Sequence, residues 1–283
     1  MALTEEDKQF IREEGLRVAQ MLLNAIQQRQ HFQTEELGAQ LSDLRRFQVK
    51  DHFAPNRIEL KTDFPVAFQS PDHIVPWGTK NDNTRGLPYC LALERHFKRP
   101  LRAMDMGCAG GGIVFDFLAR GHQAIGLEGS DFSQKHQRAE WKTIGDYLYT
   151  CDIAKPFSLI DKETQQTAKF DAICMWEVLE HINEQEIAQL FANIRAHLAD
   201  DGLFVGSIGL QPDIVNGVNY HVTVKPQEWW REQFAAHGLP YIEDYSQIFQ
   251  FSDFCRGTGN GPLDPDFSRQ PHMGCHFVAR KAA

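Results

Sequence analysis

The pattern of apolar and polar positions along the chain changes at about Leu101. Beyond that residue, short apolar runs take turns with stretches of helical period, which predicts alternating strands and helices. The predicted strands are 101–106, 122–127, 147–151, 170–175 and 202–208, and the predicted helices are 111–120, 131–144, 184–198 and 226–237. This βαβ alternation predicts an α/β fold with a doubly wound, mostly parallel sheet. Two later apolar stretches, 241–251 and 276–279, are expected to close one edge as a hairpin.

The first hundred residues follow a different pattern. Helix caps at Thr4 and Thr34 each precede an amphipathic stretch, which predicts two helices. From 49 to 86 the periodicity disappears, and such a long irregular stretch is typical of a functional lid or of a packed surface segment. We therefore expect residues 1–100 to form a helical N-terminal extension with a substrate lid, and residues 101–283 to form the main domain.

Composition narrows the classes of partner. The 29 basic and 38 acidic residues give a formal charge of −9, and no block of Lys and Arg interrupts the chain, so nucleic-acid binding is not expected. The charged start lacks the apolar stretch of a secretory signal, and no apolar run is long enough for a bilayer, so we expect a cytoplasmic protein with no membrane contact. The six cysteines show no CxxC spacing, which argues against a disulfide framework. The sequence does not indicate an oligomeric state.

A glycine-dense turn, Asp105-Met106-Gly107-Cys108-Ala109-Gly110-Gly111-Gly112, joins a predicted strand to a predicted helix. Glycine allows a positive φ and a close approach to a ligand, and the helix N-terminus beyond it offers unpaired N–H groups. The carboxylate of Asp105 would repel a pyrophosphate but attract an ammonium group. S-adenosylmethionine carries an ammonium group and no phosphate, so it is the nucleotide-like ligand we expect.

Acidic residues also follow the next two predicted strands. Glu128 is placed to accept both hydroxyl protons of a ribose, and Asp152 to accept from an adenine amino group. Taken singly, each acid is also typical of a helix cap. Their register with the glycine turn favours the cofactor interpretation.

With these motifs, the stretch from about Leu101 to Arg280 resembles the class I S-adenosylmethionine-dependent methyltransferases. The likeness rests on DMGCAGGG, LEGSD, TCDI and FDAICMWEVLEH. It implies a Rossmann-like, seven-stranded sheet with an antiparallel seventh strand. It also implies that the cofactor contacts Asp105, Gly107, Cys108 and Ala109 at its methionine part, Glu128 at its ribose, and Gly129, Cys151, Asp152 and Trp176 at its adenine. Ala109 stands where the family usually has glycine, which is tolerable if its φ is negative.

A second group of candidate residues leaves the fourth predicted strand of the main domain. In a helical turn, Glu177, Glu180 and His181 would share one face, and two carboxylates with an imidazole suit Mg²⁺, Mn²⁺ or a related ion. The alternative is an acidic first turn of a helix, with no metal.

His221 follows the fifth predicted strand of that domain and is expected to reach the same face as a fourth ligand. The pairing of ExxEH with a later histidine resembles the metal site of small-RNA 2′-O-methyltransferases, and ExxEH is also similar to that of the ubiquinone-pathway O-methyltransferases. A bound cation would lower the pKa of an acceptor hydroxyl, and His181 or His221 would take its proton.

The acceptor is the least constrained part of the interpretation. GLEGSD, RAEW, TCDI and HVTVKPQEWW look like methyltransferases associated with surface glycans, so we expect a sugar or another small molecule with vicinal hydroxyls, contacted in the lid by His73, Asp82 and Arg85. RNA ribose and a small aromatic acceptor are the alternatives, as is a non-catalytic cofactor-binding protein. A different class, a nicotinamide-dependent oxidoreductase, stays open because the turn approximates GxGxxG.

Overall fold

The computed structural model describes residues 53–260 and 264–282, and these contain ten strands and eight α-helices. The strands are β1 Ile58–Thr62, β2 Arg102–Met106, β3 Gln123–Glu128, β4 Leu148–Thr150, β5 Phe157–Asp161, β6 Phe170–Trp176, β7 Leu198–Gly209, β8 Ile214–Val215, β9 Val218–Asn219 and β10 Gly274–Ala279. The helices are α1 Pro71–Ile74, α2 Trp77–Asn81, α3 Leu87–Phe97, α4 Gly112–Ala119, α5 Phe132–Lys135, α6 Trp141–Ile144, α7 Ile187–His197 and α8 Gln227–Ala236.

Six strands form the main sheet, in the order β10-β7-β6-β2-β3-β4. β10 runs antiparallel to β7, and the other neighbours are parallel. The α/β, Rossmann-like fold is thereby confirmed. Because parallel strands end at the same edge, the residues that follow β2, β3, β4, β6 and β7 meet there.

The sheet has six strands among the described residues, where seven were expected. Of the predicted hairpin, the second stretch forms β10, but in the first stretch only Tyr241 makes a bridge, to Ala279. Farther along, the carboxylate of Asp244 accepts hydrogen bonds from the backbone and hydroxyl of Ser246, and this side-chain turn replaces strand pairing.

The core is largely aliphatic and aromatic. Helices α7 and α8 bury their apolar faces with the sheet in one cluster, where the rings of Phe204 and Phe234 stack at 5.5 Å between centroids and Phe277 packs against both. Burial of such rings supplies the main driving force for folding. A firm sheet therefore supports the loops at its carboxyl edge.

The lid segment, residues 53–86 as described, contains more regular structure than its composition suggested. β1 pairs with β5 in an antiparallel ribbon, and α1 and α2 follow. Ile58 and Leu60 point the same way along β1, so a short period-2 signal was present within the stretch that seemed irregular. The lid belongs to the same compact unit as the sheet, Phe53–Ala283.

The two helices predicted from the caps at Thr4 and Thr34 lie outside the described residues. Within the described part of the chain, every helix is too short or too polar to cross a membrane.

Candidate active site

The glycine turn between β2 and α4 depends on backbone that other residues rarely adopt. Gly107 and Gly111 have φ of +85° and +86°. A Cβ on Gly107 would lie 2.5 Å from Cγ2 of Val178, so a side chain is excluded there both by conformation and by space. The turn therefore brings bare backbone to the carboxyl edge of the sheet.

Ala109 corrects one expectation. Its φ is +42°, in the left-handed region, where a negative value had been expected. Two buried hydrogen bonds hold the residue there: its N–H donates to Oε2 of Glu128 at 2.7 Å, and its carbonyl accepts from the indole Nε1 of Trp141 at 2.8 Å. These contacts offset the cost of placing an L-residue in this conformation.

Glu128, the last residue of β3, connects the turn to the next loop. Besides Ala109 it accepts from the backbone N–H of Ser130 at 3.0 Å and from the hydroxyl of Thr79 at 3.5 Å. Burial raises the pKa of its carboxyl, and the two backbone N–H groups partly counter that rise. Glu128 is thus a fixed acceptor at the position predicted for a ribose.

One cavity of about 740 Å³ covers this edge of the sheet, within the range of small-ligand sites. Six of the predicted cofactor residues line it: Gly107, Ala109, Glu128, Gly129, Asp152 and Trp176. The carboxylate of Asp152 also accepts from the N–H of Ala154 at 3.1 Å, so the capping interpretation holds for it as well. The same cavity is also lined by three of the four predicted metal residues, Glu177, His181 and His221.

Three predicted cofactor residues do not line the cavity. The side chain of Cys108 packs against Gly126, and Cys151 is fully buried. Asp105 is 5% exposed, and burial raises its pKa to about 7, partly countered by a hydrogen bond from the thiol of Cys174. The side chains of Cys108 and Cys151 therefore support the fold, and a direct contact of Asp105 with an ammonium group is not supported by the geometry.

At the other end of the cavity, three of the four predicted metal ligands come together. Glu180, His181 and His221 offer ligand atoms that all lie within 4.8 Å of one another. Glu180 is fully buried; its Oε1 accepts from the N–H of Gly209 at 2.6 Å, while its Oε2 has no hydrogen-bond partner. Such an orphaned carboxylate oxygen is costly unless a cation binds it.

In each of the two imidazoles, Nδ1 makes a hydrogen bond to a neighbouring oxygen. Nδ1 of His221 donates to the carbonyl of Gln211, which leaves its Nε2 with a lone pair 3.9 Å from Oε1 of Glu180. Nδ1 of His181 bonds to Oδ2 of Asp72 at 2.8 Å, and the two rings are 4.9 Å apart. This arrangement is the one expected of histidine ligands oriented by a second hydrogen bond.

The pKa values report the crowding of charge here. Burial raises the pKa of Glu180 to about 8. Burial acts to lower the pKa of His181, but the hydrogen bond and charge of Asp72, with Glu180 and Glu177, outweigh it and raise that pKa to about 9. Burial lowers the pKa of His221, and the positive charge of His181 adds to this. One neutral and one cationic imidazole thus face the buried acid near neutral pH.

Glu177, the fourth predicted ligand, lies outside this group of three but lines the same cavity. It has a positive φ of 54°, and its N–H donates to the carbonyl of Ser207 at 3.0 Å. The 3₁₀ turn Leu179–His181 takes the place of a regular helix, so the i, i+3, i+4 face assumed from the sequence is not formed. Burial raises the pKa of Glu177, and the nearby Arg256 counters that rise.

The lid residues predicted to contact the acceptor separate into two groups. Asp82 lines the cavity and pairs with Arg256. Arg85 does not line it, because its guanidinium binds the buried carboxylate of Asp116. His73 does not line it either, because its ring packs edge-on against Phe68 and faces Asp131 at 3.9 Å. The geometry therefore does not support Arg85 and His73 as acceptor contacts, and Asp82 is the one of the three that lines the cavity.

The structure also adds residues that the sequence did not single out. Asp72 binds His181, and the hydroxyl of Tyr220 donates to the carbonyl of Val75 in the lid at 2.8 Å. The aromatic side chains of Phe64, Phe68 and Trp77 line the cavity from the lid side. Tyr220 immediately precedes His221, but the other four lie in the stretch 49–86, where the sequence shows no periodicity to single them out.

A second set of potential ligands lies among Cys90, Glu94 and His122, away from this cavity. Both carboxylate oxygens of Glu94 are already bound by the guanidinium of Arg120, and one also contacts His122 at 2.9 Å. A guanidinium beside the site opposes a metal cation, so this set is an ion-pair network.

Comparison with known proteins gives the same class of enzyme. A family profile described as a methyltransferase domain matches residues 80–254, more than half of the chain. None of the curated proteins compared with the chain matches it in sequence.

Among solved structures, the chain is similar to a 1,6-didemethyltoxoflavin-N1-methyltransferase from Burkholderia thailandensis. The identity is 15% and the TM-score 0.46, over 74% of this chain and 82% of that one. It is also similar to an S-adenosylmethionine-dependent methyltransferase from Clostridium acetobutylicum, with 10% identity and a TM-score of 0.48 over 71% and 93% of the two chains.

The family match favours methyl transfer over the nicotinamide-dependent alternative. A methyltransferase domain accounts for the glycine turn, for the acid at the end of β3 and for the strand order of the sheet. The chain therefore belongs to this methyltransferase family and is a class I S-adenosylmethionine-dependent methyltransferase.

Proposed function

We propose that the chain is an O-methyltransferase that acts, with the help of a divalent cation, on a neutral acceptor with vicinal hydroxyls, such as a sugar. The observation that carries this proposal is the buried Glu180, whose Oε2 has no partner beside His181 and His221. His181 and His221 line the same cavity as the glycine turn, and Glu180 lies fully buried beside them. A methyl donor and an activated hydroxyl can thus be held in the same space.

The donor set fits a cation of the Mg²⁺ or Mn²⁺ class. One carboxylate and two imidazoles would hold it, with Glu177 available from the same wall, and such a set leaves positions open for acceptor oxygens. When bound, the ion would supply a lower pKa to an acceptor hydroxyl and orient it. The fit rests on the unpartnered Oε2, which a positive charge would satisfy.

The other residues have separate tasks. Gly107, Ala109 and Glu128 would hold S-adenosylmethionine, which supplies the methyl group on its sulfonium. Glu128 is kept rigid by its backbone donors, so it can accept ribose hydroxyls without rearrangement. His221, with its pKa lowered by burial, is neutral near pH 7 and offers a lone pair as ligand or proton acceptor.

The charge of the cavity supports a neutral acceptor over RNA. The described lining contains seven acids: Asp72, Asp82, Glu128, Asp152, Glu177, Glu186 and Asp213. Among the basic side chains of the lining, Lys155 and Arg256 pair with Glu186 and Asp82, and His181 pairs with Asp72. Phosphates would meet repulsion without a free basic partner, whereas hydroxyls would not.

A small aromatic diol is a second candidate, favoured by one observation. Phe64, Phe68 and Trp77 expose 41%, 63% and 45% of their surface, and all three line the cavity. Their faces suit the stacking of a planar ring as well as that of a sugar. Both acceptors share the vicinal hydroxyls on which the proposal rests.

The experiment is transfer of labelled methyl from S-adenosylmethionine to sugars, nucleotide sugars, catechols and short RNAs, each with chelator alone or with Mn²⁺. A matched control replaces each diol by its monodeoxy analogue. We expect label in neutral diols only with Mn²⁺, and little in the deoxy compounds. Full transfer in excess chelator, or preferential labelling of RNA, would contradict the proposal.

A further inference from the structure

Asp72 lies in the four-residue helix α1 of the lid, yet it contacts a residue at the carboxyl edge of the sheet. Its Oδ2 lies 2.8 Å from Nδ1 of His181, and the two side chains are 21% and 20% exposed. The hydroxyl of Ser70, at 3.4 Å, also donates to this oxygen and fixes the orientation of the carboxylate. The contact joins positions 109 residues apart in sequence.

The lid is held at both ends of the cavity around this contact. At the cofactor end, the N–H of Ala67 donates to the carbonyl of Gly129 at 2.9 Å. At the other end, the hydroxyl of Tyr220, next in sequence to His221, donates to the carbonyl of Val75 at 2.8 Å. The position of Asp72 is therefore set by the docked lid as a whole.

We propose that Asp72 is a positioning residue for His181, through which docking of the lid completes the cation site. A carboxylate can only accept, so it requires the proton of His181 on Nδ1 and directs Nε2 as the ligand atom. With Nδ1 bound to the lid, the ring is held beside Glu180 and His221. This inference rests on the proposed function, because it concerns how the same cation site is assembled.

The consequence is specific to one end of the cavity. Without the carboxylate, the His181 ring is free to rotate or to present either nitrogen, so the geometry for a cation is lost. The cofactor end, built from the glycine turn and Glu128, does not depend on this hydrogen bond. Cation affinity should change while cofactor affinity does not.

The test measures the affinity of the purified full chain for Mn²⁺, and separately for S-adenosylhomocysteine, in four proteins. They are the wild type, Asp72→Ala, Asp72→Asn and the control Asp63→Asn, which removes an exposed acid of the same lid segment. We expect Asp72→Ala to weaken Mn²⁺ binding about 10- to 100-fold, as loss of an orienting partner does at other metal sites. Asp72→Asn should recover part of the loss, because its amide oxygen still accepts from Nδ1.

Each outcome is decisive. Mn²⁺ binding that is unchanged in Asp72→Ala overturns the inference and leaves the proposed function intact. Equal losses of Mn²⁺ and S-adenosylhomocysteine binding also overturn it, because they indicate general damage to the lid. Absence of Mn²⁺ binding in the wild type overturns both the metal-assisted function and the inference, so the two failures are distinguishable.

Discussion

The two ends of the cavity are built on opposite principles. At the cofactor end, Glu128 is buried but both of its oxygens accept hydrogen bonds from the protein. At the other end, Glu180 is equally buried and keeps one oxygen unpartnered between two imidazoles. The protein satisfies both carboxylate oxygens at the first end, and at the second it leaves Oε2 of Glu180 without a hydrogen-bond partner.

This difference shows which end of the cavity is held in one fixed geometry by the protein itself. Satisfied polar groups stabilise one geometry, whereas an orphaned buried carboxylate costs free energy that only a ligand recovers. The cofactor end should therefore affect both stability and binding when changed. Substitutions at the end that contains Glu180 should affect function strongly and stability little, or should even raise stability.

Replacing Glu180 by Gln should have the largest effect. We expect methyl transfer to fall by 1,000-fold or more, at least about 4 kcal/mol of transition-state stabilisation, because the anionic ligand is lost. The free energy of unfolding of the metal-free protein should not fall, because Oε2 of Glu180 has no hydrogen bond to lose and the remaining amide oxygen can still accept from Gly209. Steady-state kinetics and urea unfolding measure the two. The control Glu184→Gln, at a half-exposed position paired with Lys225, should leave transfer unchanged. A loss of stability without a loss of activity would reverse the contrast.

The ionisation of Asp105 should be visible in the pH dependence of the free energy of unfolding. Its pKa is raised to about 7 in the folded state, against about 3.9 when unfolded, so the unfolded chain releases this proton first as pH rises. Asp105 therefore leaves the free energy of unfolding at its full value below about pH 4. Between pH 4 and about pH 7, its ionisation lowers that free energy by up to about 4 kcal/mol. Denaturant unfolding of the metal-free protein from pH 4 to 8 measures this.

Asp105→Asn should flatten that decline, because the amide does not titrate, while the exposed Asp63→Asn should follow the wild type. Wild-type and Asp105→Asn curves that run parallel would show that Asp105 ionises normally.

Glu128→Gln should lower the affinity for S-adenosylhomocysteine by about 10- to 100-fold, in line with the loss of hydrogen bonds to a charged acceptor. The Gln amide nitrogen would face an N–H of Ala109 or of Ser130, so stability should fall too, by about 1–3 kcal/mol. Calorimetric titration and urea unfolding test both effects. Glu59→Gln, at an exposed position of β1, is the matched control. Retained stability would mean that the hydrogen bonds to Glu128 stabilise the fold less than the structure indicates.

The smallest effect is expected at Ala109. Glycine removes the penalty of a left-handed φ, but it also increases the conformational entropy of the unfolded chain. Because the first effect is the larger, Ala109→Gly should raise the free energy of unfolding by about 0.5–1 kcal/mol. Ala103→Gly, in the middle of β2, should lose stability instead. If both variants lose stability to the same degree, the backbone at Ala109 is not strained.

Sequence patterns located most of the cavity residues that follow the strands of the sheet, although Asp105, Cys108 and Cys151 do not line the cavity. The register of strand ends placed Glu128, Gly129, Asp152 and Trp176 in the cavity, because parallel strands bring successive loops to one edge. The adjacency of β6 and β7 likewise brought Glu180 and His221 together. Local chemistry and topology were enough for these predictions.

Patterns failed where a contact depends on packing between distant segments. The pairing of Arg85 with Asp116 and that of Asp72 with His181 join the lid to the sheet domain, and neither follows a periodicity. The sign of φ at Ala109 depended on Glu128 and Trp141, far along the chain. Such tertiary contacts override local preference, so they become visible only in the three-dimensional structure.

The most direct test is a titration of the metal-free chain with Mn²⁺ in the presence of S-adenosylhomocysteine, followed by electron paramagnetic resonance. We expect one bound ion per chain in the wild type and none in Glu180→Gln, with S-adenosylhomocysteine bound equally by both. A wild type that leaves all Mn²⁺ free, or a Glu180→Gln variant that binds it equally well, would contradict a cation site at Glu180.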